Sequence, residues 1–414
     1  MLLVNLLFIN YGDFSTNSIH HIAAFANELT RRGNQCLIAT PDTHTKPDLN
    51  APPLFGYGSY EEILLGSIQF ENRKPADIVH AWTPRENVRQ FVEQYLETRN
   101  SKLVAHLEDN EEALMESFYH CSFDTLKTQG LPQGFDDWEP MLSHPRNYKS
   151  FLEQSHGITV IIDTLLDFAP QKLPSLELWP GLENCMPPDE SNDSELKAKL
   201  GIEAEHKTIV YCGGITSANL DDVLSLCHAV GLLNESGHKV KLIKTGPSAK
   251  AFENAIPQSI RDHVIDLGII PKTDLPRLLS ISDALVQPGR PNAYNDYRLP
   301  SKLPEFLLSG SPVIATASNL ALRIEKEDTL LGLEEGTPEE ICTLCKRLFE
   351  SPELSLRLSA NGRAFAESHF SLEDNTEKLL VFYRSILADS NPSGATPKEV
   401  KSPIARFFSK LLGT

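Results

Sequence analysis

From Gln287 to Phe306 the chain runs Gln-Pro-Gly-Arg-Pro-Asn-Ala-Tyr-Asn-Asp-Tyr-Arg-Leu-Pro-Ser-Lys-Leu-Pro-Glu-Phe, its densest concentration of groups able to do chemistry. Arg290, Arg298 and Lys302 bring positive charge, and a helix opening at Ser301 adds free backbone amides. Both favour a dianionic group such as a phosphate. Glu305 follows one turn after Lys302 on the same helix face, where its carboxylate would accept hydrogen bonds from ribose hydroxyls. Asp296 stands in the same loop. Gly213-Gly214 is a second place for an anion, a glycine turn between a strand and a helix whose amides can face a phosphate. Alone the signal is weak, since a glycine turn of this sort is more often a plain structural connection.

Composition narrows the chemistry. Lys and Arg number 38 against 56 Asp and Glu, a formal net charge of −18 over 414 residues. So acidic a surface disfavours nucleic acid, whose phosphates need clustered Lys and Arg, and leaves room for a small anionic ligand in a local basic pocket. No G-x-G-x-x-G follows the first strand and no G-x-x-x-x-G-K-[ST] occurs, which disfavours a dinucleotide cofactor and removes the P-loop NTPases. Seven cysteines are too sparse for a disulfide framework. Cys342 and Cys345 form a C-x-x-C inside a helix-like run, where core packing is the better reading than metal binding. Met1–Asn10 is apolar without a basic flank or cleavage site, so it reads as a strand, not a secretory signal. No run reaches membrane-span length. The expectation is a reduced, cytoplasmic protein.

The elements that would position these groups alternate. Leu2–Ile9 reads as a buried strand, Asn17–Arg32 as an amphipathic helix ended by Gly33, and Cys36–Ala39 as a second strand. Further strands fall at Ile78–Ala81, Lys102–Leu107 and Ile158–Ile162. The pattern restarts after a polar break at Pro187–Ser194 with strands Thr208–Tyr211, Lys239–Ile243, Val264–Leu267, Ala284–Val286 and Pro312–Ala315. This predicts two α/β domains, each a doubly wound Rossmann-like parallel sheet, facing a cleft: residues 1–186 and 187–388, with the last helix able to cross back. Ligands bind beyond the carboxyl ends of such strands. Those ends are Asn10–Asp13, His80–Pro84 and His106–Asn110 in the first half. In the second they are Gly213–Thr216, Thr245-Gly246, Gly268 and Pro288–Lys302. Glu108–Lys149 interrupts the alternation with Phe118, Tyr119, Phe135, Trp138 and Tyr148. It reads either as a lid over the site or as a helical excursion packed on its own sheet.

Residues 389–397 read as a Ser/Pro/Gly linker. Beyond it, Ile404, Phe407, Phe408, Leu411 and Leu412 fall on one helical stripe, with Lys398, Lys401, Arg406 and Lys410 against the single Glu399. A basic amphipathic helix at 398–414 suits docking on an anionic membrane surface, or on its own fold or a partner.

The stretch Asp274–Thr316, "DLPRLLSISDALVQPG…YRLPSKLPEFLLSGSPVIAT", resembles the donor-binding stretch of retaining family-four glycosyltransferases, which have the GT-B fold. "HIAAFANELTRRGNQCLIATP", "ADIVHAWTP", "LELWPGLEN" and "LKAKLGI…KTIVYCGGI" resemble the same family in order and spacing, so the likeness covers about residues 1–388. It implies transfer of a sugar from a nucleotide-sugar to a glycan or lipid-linked acceptor, with retention, without a metal or other cofactor. Glu305 would be the second glutamate of E-x7-E and hold the donor ribose. Lys302 and the amides near Ser301 would face the diphosphate, Gly213 and Gly214 would line the donor site, and Gly12 the opposite wall. Three positions depart from the family. Tyr297 stands where the first glutamate falls, with Asp296 as substitute. Gly214 and Asn219 replace an Arg and a Lys, leaving Arg290, Arg298, Lys244 and Lys302, beside Gly246, to meet the charge. Glu108 aligns with the family's cleft histidine, so Glu108 and Asp109, with His106, are the expected catalytic groups. His21, His80 and Trp82 are expected in the acceptor cleft, His21 equally as a core or capping residue. Asp163 and Asp167 read as turn or cap residues. The missing charges also raise a rival, a catalytically silent nucleotide-sugar-binding or scaffold protein. An epimerase of the same fold is a third reading.

Overall fold

The computed structural model describes residues 3–44, 49, 51–182, 193–216 and 219–388. The break read at Pro187–Ser194 and Cys185 lie largely or wholly outside these, as does all of 389–414.

Asn5–Asn10 (β1) is buried throughout, as a strand covered on both faces must be. Helix Ser18–Arg31 buries Ile19, Ile22, Ala23, Phe25, Ala26 and Leu29, a stripe of period 3.6 that lays it on the sheet. Gln35–Thr40 (β2), Gly56–Ser59 (β3), Ile78–Trp82 (β4), Lys102–Leu107 (β5), Gly157–Val160 (β6) and Ser175–Glu177 (β7) complete a parallel sheet in the order β3-β2-β1-β4-β5-β6-β7. The second sheet is also parallel. It holds Lys207–Cys212 (β8), Val240–Thr245 (β9), Val264–Asp266 (β10), Ala284–Gln287 (β11), Val313–Thr316 (β12) and Leu331–Leu333 (β13) in the order β10-β9-β8-β11-β12-β13.

Three strands escape the sequence pattern. β3 is Gly-Tyr-Gly-Ser, with no apolar run to announce it. A Cβ at Gly56 would stand 2.6 Å from Leu37 Cδ2, so the glycine lets the strand close on β2. β7 and β13 are three-residue edge strands, too short for any periodicity. The helix expected from Lys302 runs Leu303–Ser309, ended by Gly310 at φ 79°.

The Glu108–Lys149 segment forms helices Glu111–Tyr119, Phe123–Gln129 and Tyr148–Glu153. Buried Tyr119 meets Phe135 and Trp138 edge-on at 4.9 and 5.3 Å, so these aromatics are packing, not an open stacking platform. Cys342 and Cys345 both lie buried in helix Pro338–Glu350, and burial pushes both thiols up, as core cysteines require. The final helix, Leu372–Ala388, packs on the first sheet's domain: Leu379, Leu380, Tyr383 and Ile386 share a core with Ile22, Phe25 and Ala26. Arg32 Nη1 pairs with Glu377 Oε2 at 2.7 Å across the same contact.

Candidate active site

Each sheet reverses its strand order once, between β1 and β4 in the first and between β8 and β11 in the second. A crevice opens at the carboxyl ends of strands at such a switch point. The chain supplies Tyr11-Gly12, Trp82–Arg85, Gly213-Gly214 and Pro288–Arg290 there.

On the second domain the glycine turn is built by close approach. A Cβ at Gly246, whose φ is 90°, would stand 2.6 Å from Gly213 C and O and 2.9 Å from Gly214 N. Only glycine lets the β9 turn lie against the β8 turn. Asn219 donates from Nδ2 to Gly214 O at 2.9 Å and to Tyr211 OH at 3.2 Å, while its Oδ1 accepts from Thr216 N at 2.8 Å. Its side chain is therefore committed to bracing the turn. Lys302 Nζ donates to Glu305 Oε2 at 3.0 Å, each side chain about a third exposed. Both act electrostatically on Cys212 at the end of β8, whose thiol is pushed to about 11, by burial above all. Arg290 and Arg298 converge on Asp222, whose carboxyl burial raises above the usual range against the pull of both guanidinium groups. Arg298 Cζ also lies 4.8 Å from the Tyr294 ring centroid. Ser301 is exposed in the turn before the helix.

Two expected donor residues are placed elsewhere. Lys244 is wholly buried, and its Nζ donates to Gly246 O at 2.9 Å and Asp266 Oδ1 at 3.0 Å. It fixes the glycine turn from below. Asp296 accepts from Ser318 Oγ at 2.9 Å, and its carbonyl accepts from Thr164 Oγ1 at 3.0 Å. It anchors the loop and is not a free substitute for the missing glutamate. Tyr297 also turns to the first domain, donating to Asp167 Oδ2 at 2.9 Å.

On the first domain Glu108 is the centre. Trp82 Nε1 donates to its Oε1 at 2.6 Å and Ser18 Oγ donates to its Oε2. Burial dominates and lifts its carboxyl to about 7, with the two hydrogen bonds pulling the other way. Asp109, a quarter exposed, lies 3.7 Å from Arg85 Nη2. Gly12 lines the β1 turn, where Asn10 Nδ2 donates to its carbonyl at 2.8 Å. Trp82 is not an open cleft residue: it is buried, stacks on His106 at 3.8 Å between ring centroids, and forms the wall behind Glu108.

The histidines are corrected too. His80 is buried between Tyr383 OH at 2.6 Å and Thr159 Oγ1 at 2.9 Å, so it is a core residue. His106 is wholly buried beneath Trp82, with Nδ1 on Thr159 Oγ1 at 2.7 Å and Nε2 4.0 Å from Glu108 Oε1. It supports Glu108 from behind. His21, partly exposed, lies within electrostatic reach of Lys302 from the opposite domain: burial first, then His20 and Lys302, pushes it down to about 4.

Several interactions at the site were not foreseen. Arg85 and Tyr11 face each other, guanidinium over ring, at 3.8 Å. Asn110 Nδ2 donates across the cleft to Ala293 O at 3.2 Å. Asp163 and Asp167, read as turn residues, carry interdomain bonds to Arg323 and Tyr297. The signal for Arg85 was present: it is the next residue after the strand end His80–Pro84.

Two parallel Rossmann-like domains with a ligand crevice between their switch points constitute the GT-B glycosyltransferase fold. Residues 206–351, within the second domain, match the family model "Glycosyl transferases group 1". Among solved structures the chain is similar to Anabaena HepE in complex with UDP and glucose, with TM-score 0.69 at 13% identity over 92% of this chain and all of that one. It is also similar to sucrose-phosphate synthase from Thermosynechococcus elongatus, with TM-score 0.68 at 15% identity over 94% and 100%. In sequence it is 30% identical over 185 residues to glycosyltransferase 1 domain-containing protein 1 of Xenopus tropicalis, 42% of this chain and 50% of that protein. The chain spans about half the length, or less, of the curated relatives it matches. Among the described residues no helix is long and apolar enough to cross a membrane.

Proposed function

We propose that the protein is a glycosyltransferase that moves a sugar from a nucleotide-sugar to a hydroxyl of a glycan or lipid-linked acceptor, with retention at the anomeric carbon. The observation that carries this is the pairing of two half-sites at facing switch points. One is basic and glycine-lined, with Lys302, Arg290 and Arg298. The other presents Glu108 and Asp109. The leaving group is a nucleoside diphosphate, so its developing charge is met by Lys302, the two arginines and the turn amides, and the reading requires no metal. In this reading Glu305 holds the ribose and Glu108 receives the acceptor hydroxyl's proton. Binding of UDP and glucose by HepE supports a nucleotide-sugar donor. Retention rests on the resemblance of Asp274–Thr316. A membrane-peripheral placement rests on the sequence of 398–414 alone, and deleting those residues should abolish binding to anionic vesicles while sparing donor binding.

One observation favours a second reading, a nucleotide-sugar-binding protein without turnover. Gly214 carries no charge, and Asn219 is spent on bracing the turn. A thermal-shift screen against UDP, GDP, ADP, CMP and their sugars tests the donor half-site. A ligand at ten times its dissociation constant stabilises by about 1.4 kcal/mol. Stabilisation by one nucleotide class, lost in Lys302→Ala, is expected. No response to any of them overturns the donor site.

A further inference from the structure

The charged cluster beside Glu108 is incompletely bonded. Arg85 is 8% exposed, yet its Nε is buried without a hydrogen-bond partner. Its ion pairs, Asp109 at 3.7 Å and Glu111 at 3.8 Å, stand beyond hydrogen-bond reach. Glu111 Oε1 is buried and unpartnered as well. A guanidinium and two carboxylates this close normally contract into direct charge-assisted bonds. Here the Tyr11 ring against the guanidinium and Ser143 on Glu111 Oε2 at 2.8 Å hold the groups apart. Tyr294, from the donor loop of the other domain, interacts electrostatically with both Arg85 and Asp109. Asp109, a quarter exposed, and the side of Arg85 that senses Tyr294 are therefore where this cluster meets the cleft, next to Glu108.

The gap has a definite chemistry. Asp109 already balances the charge of Arg85, with the Glu108 and Glu111 carboxyl groups beside them, so a phosphate or carboxylate entering the gap finds no net positive charge to hold it. A hydroxyl is donor and acceptor at once, so one oxygen can accept from Arg85 Nη2 and donate to Asp109 Oδ2 across their 3.7 Å separation. Its neighbour on a sugar ring can engage Glu108. We infer that Arg85 and Asp109, held by Glu111 and Tyr11, form the acceptor subsite and read a vicinal diol on an uncharged sugar. This rests on the donor reading above and names the class of acceptor it serves. Arg85 is a specificity-determining residue that touches the acceptor, and its planar fork cannot be replaced by a lysine.

The test is saturation-transfer NMR on the full chain with saturating UDP, or GDP or ADP if the thermal screen selects it. The probes are the p-nitrophenyl gluco-, galacto- and mannopyranosides and glucose 6-phosphate. At least one uncharged glycoside should bind, at least tenfold more weakly in both Arg85→Lys and Asp109→Asn, while nucleotide affinity stays within twofold and so reports an intact fold. Glucose 6-phosphate should bind more weakly than the glycoside. Glycoside binding insensitive to both variants, no glycoside binding to a nucleotide-bound protein, or Arg85-dependent preference for glucose 6-phosphate would each overturn the inference. Absence of nucleotide binding in the unmodified protein would instead overturn the donor reading, and this subsite with it.

Discussion

Glu108 carries the sharpest residue-scale prediction. Its folded value of about 7 stands above its ordinary 4.5, so the folded state holds its proton after the unfolded chain has lost it. Stability from this group is thus full below pH 4.5 and falls as pH rises to 7, by roughly 3 kcal/mol in all. Activity should move the other way. If the carboxylate receives the acceptor proton, kcat rises through an apparent midpoint near pH 7, and Glu108→Gln removes that limb and lowers kcat by about 10²–10⁴. An unaltered pH profile in the variant would show that Glu108 is packing alone. The sequence made part of this legible. Lys302, Glu305 and Arg298 sit in one short run whose types and spacing declare an anion site. Lys244 and His80 misled because strands buried on both faces do not reveal which side a polar residue takes. Arg85 directly follows a strand end read from the sequence, but a lone arginine opening a helix resembles any other, and Asp109 and Glu111 join it only through the fold.

At the scale of elements, the donor half-site depends on two strand-end turns lying closer than side chains permit. Gly246→Ala places a methyl 2.6 Å from the Gly213 backbone at a φ of 90°. The change should cost at least about 2 kcal/mol in urea unfolding. It should also weaken nucleotide binding, because the turn that presents the amides must move. Full stability in that variant would mean the turn is not set by this contact. The helix Leu372–Ala388 makes a second test. Tyr383→Phe leaves His80 Nδ1 buried without its 2.6 Å partner, a loss of about 1–3 kcal/mol. Strand and helix types were readable from apolar period, but the return of this last helix was readable only as an option, since an amphipathic stripe does not state which domain covers it.

The whole molecule is a clasp held by contacts that flank the crevice. Thr164–Asp296, Tyr297–Asp167, Asn110–Ala293 and Arg323 with Asp163 and Glu177 all bridge the domains. Three histidines set its acid limit. Burial holds His80 at about 3 and His21 at about 4, against the ordinary 6.5, and lowers His106 as well. Their folded values are depressed, so their contribution is present above pH 6.5 and is lost as pH falls. By pH 5 that is about 2 kcal/mol for each of His80 and His21, which together outweigh the opposite drift of Glu108. The urea midpoint should therefore fall from pH 7 to pH 5, and a midpoint constant over that range would contradict the buried neutral imidazoles. The central claim is that the two half-sites act on one sugar. Its most direct test is to supply the nucleotide-sugar selected by the thermal screen together with the p-nitrophenyl glycosides, and to follow the product by NMR. The account predicts release of nucleoside diphosphate and a new glycosidic bond with the donor's anomeric configuration, abolished by Lys302→Ala. Tight donor binding with no transfer to any of them would contradict it and favour the silent, nucleotide-sugar-binding reading.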